Sequence, residues 1–378
     1  MAMQTLLRRK GFSSVAAKPA LIWKTCLIIA SLFLFRAYMG APFFTSLSNG
    51  AVPAFFDRPM VGSWGPYGSF VPEGPAVALP SVQITPEEDS KIERHIYGGK
   101  GDKAHLGGFT AFDEAGVSVS VWKHMVNHLG IKSVLDLGCG KGISTSWFVI
   151  HGLKYVVCAE GSHDAVTHSL LPKIKHIPDG TQSEIVEHDF SRGPWWPSRT
   201  VDVVWCVEFT EHVGRNYQPN YLSAWRKAAL IFMTHSYWGG WHHVEVHADP
   251  WWITRMTAMG FVYSDLLTQE IRGKQGEDST LIITNPRNES DQKSFNTGQH
   301  VMSMLVFINP HVASRPEHAH LFAEHGCFNG DLNNLVECGK EGTDGTPLPD
   351  SFKPLKMTKE MDDQWIELLQ DHVIYPKG

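Results

Sequence analysis

Three glycines, Gly138, Gly140 and Gly142, follow a short apolar run that contains Asp136. An apolar run that breaks into such a loop is typical of a buried parallel strand at its carboxyl end. Because glycine has no Cβ, its backbone can lie directly against a ligand. Dinucleotide loops have the spacing GxGxxG, but position 143 is Ile143, and the spacing here is DxGxGxG. The loop therefore predicts a cofactor site whose ligand is not a dinucleotide.

Acidic residues end two further apolar runs downstream of this loop. Glu160-Gly161 follows the run Tyr155–Ala159. Rossmann-like sites place an acid about 20 residues past the glycine loop, where it accepts hydrogen bonds from ribose hydroxyls. Asp189-Phe190 follows the next run, and each acid has an alternative interpretation as the cap of a following helix.

The glycine loop and the ordered polar strand edges resemble the class I S-adenosylmethionine-dependent methyltransferases over about residues 91–310. The resemblance implies S-adenosylmethionine as cofactor, with Asp189 against the adenine amino group. The cofactor residues it implies are Asp136, Gly138, Cys139, Gly140, Gly142, Glu160, Gly161, Asp189, Phe190 and Val207.

A second motif, ExxEH, follows the fourth apolar run as Glu208, Glu211 and His212. It resembles a motif of quinone-pathway O-methyltransferases and small-RNA 2′-O-methyltransferases, in which these side chains hold a divalent ion. Carboxylates and one imidazole suit Mg²⁺, Mn²⁺ or Zn²⁺, and such an ion lowers the pKa of a bound hydroxyl. The alternative is a helix start without metal, where the acid complements the helix amino end.

Histidines after the fifth apolar run supply candidates for a general base. A neutral imidazole of His235 or His243 can accept the hydroxyl proton that is lost as the methyl group arrives. Glu211 is a catalytic candidate because it would help to hold the divalent ion. If the segment 243–247 is extended, His243, Glu245 and His247 share one face and form a possible metal trio. The alternative is that these are hydrogen-bonding or exposed loop residues.

Tryptophans are concentrated near the same predicted edge of the sheet and indicate what kind of molecule accepts the methyl group. Flat aromatic faces pack against sugar rings, quinones or other planar molecules. The alternative is that one tryptophan of each pair fills the core. The six residues concerned are Trp195, Trp196, Trp238, Trp241, Trp251 and Trp252.

Alternating strands and helices must position these residues. The helices are predicted at Val117–Leu129, Ile143–His151, Ser162–Leu171, Asn220–Ala229 and Pro250–Met259. The strands are predicted at Val134–Leu137, Tyr155–Ala159, Glu184–His188, Val201–Val207, Leu230–Thr234, Phe261–Tyr263 and, in preference to Thr280–Thr284, Met302–Ile308. This order predicts an α/β fold with a doubly wound, mostly parallel, seven-stranded Rossmann-like methyltransferase sheet. Residues 265–300 are then an inserted helix and loop.

The charge distribution argues against a nucleic-acid partner. The chain of 378 residues carries a net charge of −6. Residues 1–56 hold six basic side chains and no acidic one, which leaves −12 on the remainder. An acidic body does not suit a phosphate backbone.

The amino-terminal segment predicts an anchor or targeting element. A basic tail at 1–20 precedes an apolar segment at 21–44, a linker at 45–85, the methyltransferase domain at 86–310 and a C-terminal extension at 311–378. We favour a type II signal anchor, with the catalytic domain in the lumen of the secretory pathway (Golgi or ER). The alternatives are a cleaved signal, a transit peptide for a mitochondrion or plastid, or a buried helix, because the clean run Thr25–Phe35 is shorter than the roughly 20 residues a span needs.

Cysteines and a sequon bear on the compartment only weakly. Cys139, Cys158 and Cys206 are interpreted as small buried thiols. Cys327 and Cys338 could pair if the extension is luminal, and Asn288 begins a glycosylation sequon.

The sequence thus predicts a membrane-anchored O-methyltransferase that acts on a hydroxyl of a glycan or small molecule. The alternatives are an organelle-targeted quinone or lipid methyltransferase, and a methyltransferase fold that binds without turnover.

Overall fold

The computed structural model describes residues 61–64, 70–92, 99–106, 116–295, 298–322, 327–329, 334–336 and 353–376. These lie in one compact unit, Pro59–Gly378. The predicted basic tail and signal anchor fall outside the described residues. Among the residues that are described, no helix is both long and apolar enough to cross a membrane.

A seven-stranded sheet forms the centre of this unit. Its strands are β1 (Ser133–Leu137), β2 (Tyr155–Glu160), β3 (Gln182–Glu187), β4 (Val201–Cys206), β5 (Ala228–Met233), β6 (Val262–Tyr263) and β7 (Leu305–Ile308). They lie in the order β3-β2-β1-β4-β5-β7-β6. β1 to β5 are parallel, and β7 is antiparallel to both of its neighbours. The predicted mostly parallel, doubly wound sheet is confirmed, as is the choice of the later run for the seventh strand.

Helices connect the strands at the predicted places but are generally shorter. They are α1 (Val119–Asn127), α2 (Ile143–Ile150), α3 (His163–Thr167), α4 (Gln218–Trp225), α5 (Asp249–Ala258), α6 (Asp265–Arg272) and α7 (Lys359–Leu369). Two bounds were wrong. The predicted helix at 162–171 ends at Thr167, and the one at 220–229 ends at Trp225, because Ala228 and Ala229 belong to the fully buried strand β5.

The insertion between β6 and β7 is more ordered than predicted. It begins with α6, as expected, but the expected loop contains an antiparallel hairpin of Ile282–Asn285 with Asn288–Ser294. A short helix, Gly298–Ser303, then leads into β7. The run at 280–284 is therefore a strand, but it lies outside the main sheet.

The core is divided into two apolar layers, one on each face of the sheet. Successive residues of a strand point to opposite faces. Val134 thus packs in one layer with Trp122 and Trp147, whereas Leu135 packs in the other with Tyr221 and other aromatic residues. Strands β2, β4 and β5 are buried along their whole length. Along these three strands a ligand can therefore reach only the strand ends.

The described part of the C-terminal extension packs against this domain. Trp365 of α7 is 1 % exposed and meets Trp122 edge to face, with ring centroids 5.8 Å apart. The Trp365 indole N–H donates to the carbonyl of Ile143, at the start of α2, over 3.1 Å. The extension thus stabilises the helix that follows the glycine loop.

Candidate active site

The glycine loop after β1 has the open backbone that the motif predicts. Gly138 has φ +77° and Gly140 has φ +53°, values that side-chain-bearing residues rarely adopt. A Cβ on Gly138 would lie 2.5 Å from the Phe209 ring, whereas one on Gly140 would meet no atom within 4 Å. The space beside Gly140 is the kind of cradle in which a cofactor contacts the main chain.

Asp136 connects the glycine loop to the helix that follows it. The carboxylate is 2 % exposed, and its Oδ2 accepts hydrogen bonds from the hydroxyls of Ser144 (2.5 Å) and Thr145 (2.6 Å) at the start of α2. Burial raises its pKa to about 6, against those hydrogen bonds. The predicted cofactor residue Asp136 therefore holds the loop to the helix that follows it.

Glu160 lies at the carboxyl end of β2, where the ribose-binding acid is predicted. Its Oε2 accepts from the Gly140 amide over 2.7 Å, and its Oε1 accepts from the Ser162 amide over 2.8 Å. Burial raises the pKa of this carboxyl to about 7. Since each carboxylate oxygen can accept a second hydrogen bond, the group can still accept one from a ligand. The next residue, Gly161, packs closely on Leu106 and has no room for a side chain.

Asp189 offers an unused acceptor after β3. Its Oδ1 accepts from the Ser191 amide (2.8 Å) and lies 3.4 Å from His105 Nε2. Its Oδ2 is buried without a hydrogen-bond partner among the described residues. Burial alone would raise its pKa, but the hydrogen bonds from His105 and Ser191 outweigh it and lower the pKa. Phe190 is buried beside it, and its ring meets Phe209 edge to face at 6.1 Å.

Two loops meet beyond the ends of β4 and β5. The Glu211 carbonyl accepts hydrogen bonds from the amides of Val244 (2.8 Å) and Glu245 (3.1 Å). The glycine loop also packs against Phe209, because a Cβ on Gly138 would lie 2.5 Å from its ring. The ExxEH segment thus contacts both the predicted cofactor loop and the histidine-rich loop. Val207, the residue before this segment, packs on the core.

Glu211, His212 and His243 bring their donor atoms together, all within 4.8 Å of one another. Glu211 is fully buried, and neither carboxylate oxygen has a hydrogen-bond partner among the described residues. Burial, and then the neighbouring Glu208 carboxylate, raise the Glu211 pKa well above its usual range. Burial lowers the pKa of His212 to about 4. His243 Nδ1 hydrogen bonds to the Trp238 carbonyl over 2.9 Å, which orients the ring.

Glu208 lies beside Glu211 and also contacts a residue that the motif did not predict. Its Oε1 lies 2.7 Å from Nδ1 of His300, on the short helix before β7. Its backbone has φ +54°, a strained value of the kind that clusters at functional sites. The structure therefore groups two of the three predicted metal ligands, Glu211 and His212, with His243 instead of Glu208. His300 carried no sequence signal, because it lies outside both motifs.

The alternative trio of His243, Glu245 and His247 does not assemble. Segment 243–247 is not a strand. Glu245 instead accepts from the Arg215 guanidinium (3.0 Å) and lies 2.8 Å from His247 Nε2. Glu245 is therefore paired with Arg215 and His247.

His235 is held in a closed polar network. Its side chain has no exposed surface, and Nε2 lies 2.8 Å from Asp249 Oδ1. Asp249 also accepts from the hydroxyl of Tyr237 and, over 2.9 Å, from Arg272. Burial lowers the His235 pKa, and its Nδ1 has no hydrogen-bond partner among the described residues. Of the two predicted bases, only His243 belongs to the cluster with Glu211.

Most of the predicted acceptor tryptophans serve the core. Trp195, Trp196 and Trp252 are buried, and Trp251 stacks on His247 with ring centroids 3.7 Å apart. Trp238 is 66 % exposed. Its main-chain carbonyl orients His243, which places Trp238 next to this histidine.

A disulfide joins the glycine loop to β2. Cys139 and Cys158 are bonded, with Cα atoms 5.6 Å apart. The interpretation of both residues as free thiols was wrong. Cys206 is the free cysteine among the described residues.

Comparison with known proteins supports a methyltransferase assignment. Residues 135–229 match the family model described as a methyltransferase domain. No curated protein matches the chain significantly.

Three solved structures show the range of similarity. A candidate RNA methyltransferase from Pyrococcus horikoshii is 18% identical, with a TM-score of 0.34 and coverage of 59% of this chain and 93% of that one. Magnesium protoporphyrin IX methyltransferase from Synechocystis PCC 6803, with bound S-adenosylmethionine, is 16% identical (TM-score 0.32; 39% and 67%). An S-adenosylmethionine-dependent methyltransferase from Aquifex aeolicus is 16% identical (TM-score 0.29; 40% and 90%).

None of these TM-scores reaches 0.5, so the assignment depends on the family model, the strand order and the loop geometry. On those grounds residues 135–229 match a methyltransferase domain, and the sheet around them has a Rossmann-like strand order.

Proposed function

We propose that this chain transfers the methyl group of S-adenosylmethionine to a hydroxyl oxygen of a glycan or other small molecule. The observation that carries the proposal is the contact between two loops. The glycine loop lies against Phe209, inside the motif that carries Glu211 and His212. A cofactor beside Gly140 and an acceptor beside Glu211 would therefore be neighbours.

The cofactor side of the site fits S-adenosylmethionine. When bound, this cofactor supplies an electrophilic methyl group on a sulfonium sulfur. Main chain around Gly140 would contact it, Glu160 would accept from the ribose hydroxyls, and the free Oδ2 of Asp189 would accept from the adenine amino group. A carboxylate oxygen that is buried without a partner is costly unless a ligand completes it.

The acceptor side of the site fits a divalent cation. Glu211, His212 and His243 would hold the ion, since the buried Glu211 oxygens have no protein donor. Such an ion supplies Lewis acidity that makes a hydroxyl more nucleophilic. The chain's own contribution would be orientation: the Trp238 carbonyl fixes the His243 ring, and the exposed Trp238 indole would be available to pack against the acceptor.

Cofactor binding is tested by isothermal titration with S-adenosylmethionine and S-adenosylhomocysteine. Gly140→Val should abolish binding, because a branched side chain fills the cradle. Glu160→Ala should weaken it by about 1–3 kcal/mol through loss of the ribose acceptor. Gly276→Val is the matched control, since Gly276 also has positive φ (+81°) and open space but lies at a surface turn. Wild-type affinity in both site variants would refute the cofactor assignment.

The metal is tested by titrating Mn²⁺ and Zn²⁺ into chelator-treated protein, alongside methyl-transfer assays on glycan and small-molecule extracts. Glu211→Gln and His243→Ala should each lose the ion, while S-adenosylhomocysteine still binds. Glu208→Gln is the discriminating variant: it should retain the ion if His243 is the third ligand, and lose it if Glu208 is. Turnover that resists chelator would exclude the metal and leave His243 as the candidate base.

A further inference from the structure

The disulfide between Cys139 and Cys158 lies within the cofactor loop itself. Cys139 stands between Gly138 and Gly140, and Cys158 lies two residues before Glu160. The loop and the strand end are also joined by the hydrogen bond from the Gly140 amide to Glu160, over 2.7 Å. A covalent bond and a hydrogen bond therefore fix the same loop to the same strand.

The loop needs such a constraint because of its backbone. Gly138, Gly140 and Gly142 all have positive φ, and glycine loses more conformational freedom on ordering than any other residue. A loop that is ordered before binding does not pay this entropy when the ligand arrives. The oxidised pair therefore favours the loop conformation that a cofactor contacts.

Both cysteines are buried, and the one in the loop is the more exposed. Cys139 is 8 % exposed, whereas Cys158 is 1 % exposed. Attack by a thiolate is consequently directed at Cys139, and it depends on access to the loop. A cofactor that covers the loop would limit that access.

We propose that Cys139–Cys158 is a thiol–disulfide exchange site that sets the affinity of the chain for S-adenosylmethionine, which rests on the proposed function. In reduction, one thiolate of a dithiol attacks the Cys139 sulfur and releases the Cys158 thiolate. The second thiol of the reagent then displaces Cys139. The reagent becomes a disulfide, and the protein gains two electrons and two protons as two thiols. Oxidation by a low-molecular-weight disulfide is the reverse.

Linkage makes the coupling reciprocal. If the oxidised form binds the cofactor more tightly by some factor, the cofactor favours the disulfide by the same factor. Bound S-adenosylhomocysteine should therefore protect the pair from reduction.

The test titrates S-adenosylhomocysteine into the full chain before and after treatment with a dithiol, with thiols counted by alkylation and mass spectrometry. We expect reduction to raise the dissociation constant about tenfold, within the usual range of couplings. Cys139→Ser and Cys158→Ser should each bind weakly and ignore the reductant. Cys206→Ser, which removes the buried free thiol, should keep the full response.

A second arm measures the rate at which the pair is reduced with and without S-adenosylhomocysteine, and the ligand should slow it. Tight binding with equal affinity in both redox forms would overturn the exchange site alone, as would finding both cysteines reduced in the protein as isolated from an oxidising buffer. Absence of binding in both forms would overturn the proposed function as well.

Discussion

At the residue scale, Asp136 shows how a motif acid can act through its neighbours. Its hydrogen bonds are to hydroxyls, and burial raises its pKa to about 6. In an unfolded chain an aspartate has a pKa of about 3.9. The folded state thus binds the Asp136 proton more tightly than the unfolded state does. The stability that this proton contributes is fully present below pH 4 and is lost as the pH rises through about 6.

Asp136→Asn should remove this pH dependence, because an amide oxygen can still accept from Ser144 and Thr145. Between pH 4.5 and pH 8, the unfolding free energy of the cofactor-free wild type should fall by about 1–3 kcal/mol more than that of the variant. Urea denaturation at both pH values measures the difference. Stability curves that run parallel for the two proteins would contradict the assignment.

The sequence patterns identified residues that are close together in the chain, within one motif. They missed residues that are distant in the chain and come into contact only in the folded protein. The glycine loop, Glu160 and the ExxEH segment were located from spacing alone. The Cys139–Cys158 disulfide and the His300–Glu208 pair join different elements, so no local spacing indicates them. The grouping of His243, and not Glu208, with Glu211 and His212 was missed for the same reason.

At the element scale, the centre of the main sheet was predictable because strands β2, β4 and β5 are buried along their whole length and appear in the sequence as apolar runs. The hairpin at 282–294 was missed for the opposite reason. Its second strand, Asn288–Ser294, has no apolar residue and is largely exposed, so no alternation marks it.

A buried aspartate joins β4 to the C-terminal extension. Asp202 accepts from the amides of Lys132 and Ser133, and it contacts His318 (2.7 Å) and His320 (3.1 Å). Burial works against ionisation, but the two histidines outweigh it and hold the pKa of Asp202 well below its usual range.

Asp202→Asn should destabilise the protein at pH 7 by about 3–5 kcal/mol, since it breaks a buried network and leaves histidines without their acid. The contribution of Asp202 is present above its unfolded pKa of about 3.9 and falls as the pH drops toward the folded value. The difference in unfolding free energy between wild type and variant should therefore decrease by about 1 kcal/mol as the pH is lowered from 5 to 3. Asp265→Asn, an exposed aspartate, is the control. A difference in unfolding free energy that does not change with pH would argue against the network of Asp202 with the two histidines.

At the scale of the whole molecule, α7 is part of the domain core. Trp365→Ala should cost about 3–5 kcal/mol, because it leaves a cavity beside Trp122. It should also weaken S-adenosylhomocysteine binding, since the Trp365 indole stabilises the first turn of α2 at Ile143. Thermal unfolding and titration measure both effects, and Trp365→Phe should show a smaller loss. Wild-type cofactor affinity in a destabilised Trp365→Ala protein would confine α7 to a structural role.

Membrane topology is the prediction that the described residues leave untested. If 21–44 is a signal anchor, the catalytic domain lies in the lumen, and Asn288, which is exposed at the hairpin turn, is available for glycosylation. Protease added to sealed microsomes should then leave the domain intact until detergent is added. Digestion without detergent would exclude the luminal orientation.

The bond between Trp365 and Ile143 has a consequence for how the protein is made. The two residues are 222 positions apart. At about 5–20 residues per second, a ribosome needs roughly 11 to 44 s to produce the second after the first. Throughout that time the aromatic surface around Trp122 lacks the helix that covers it in the folded protein.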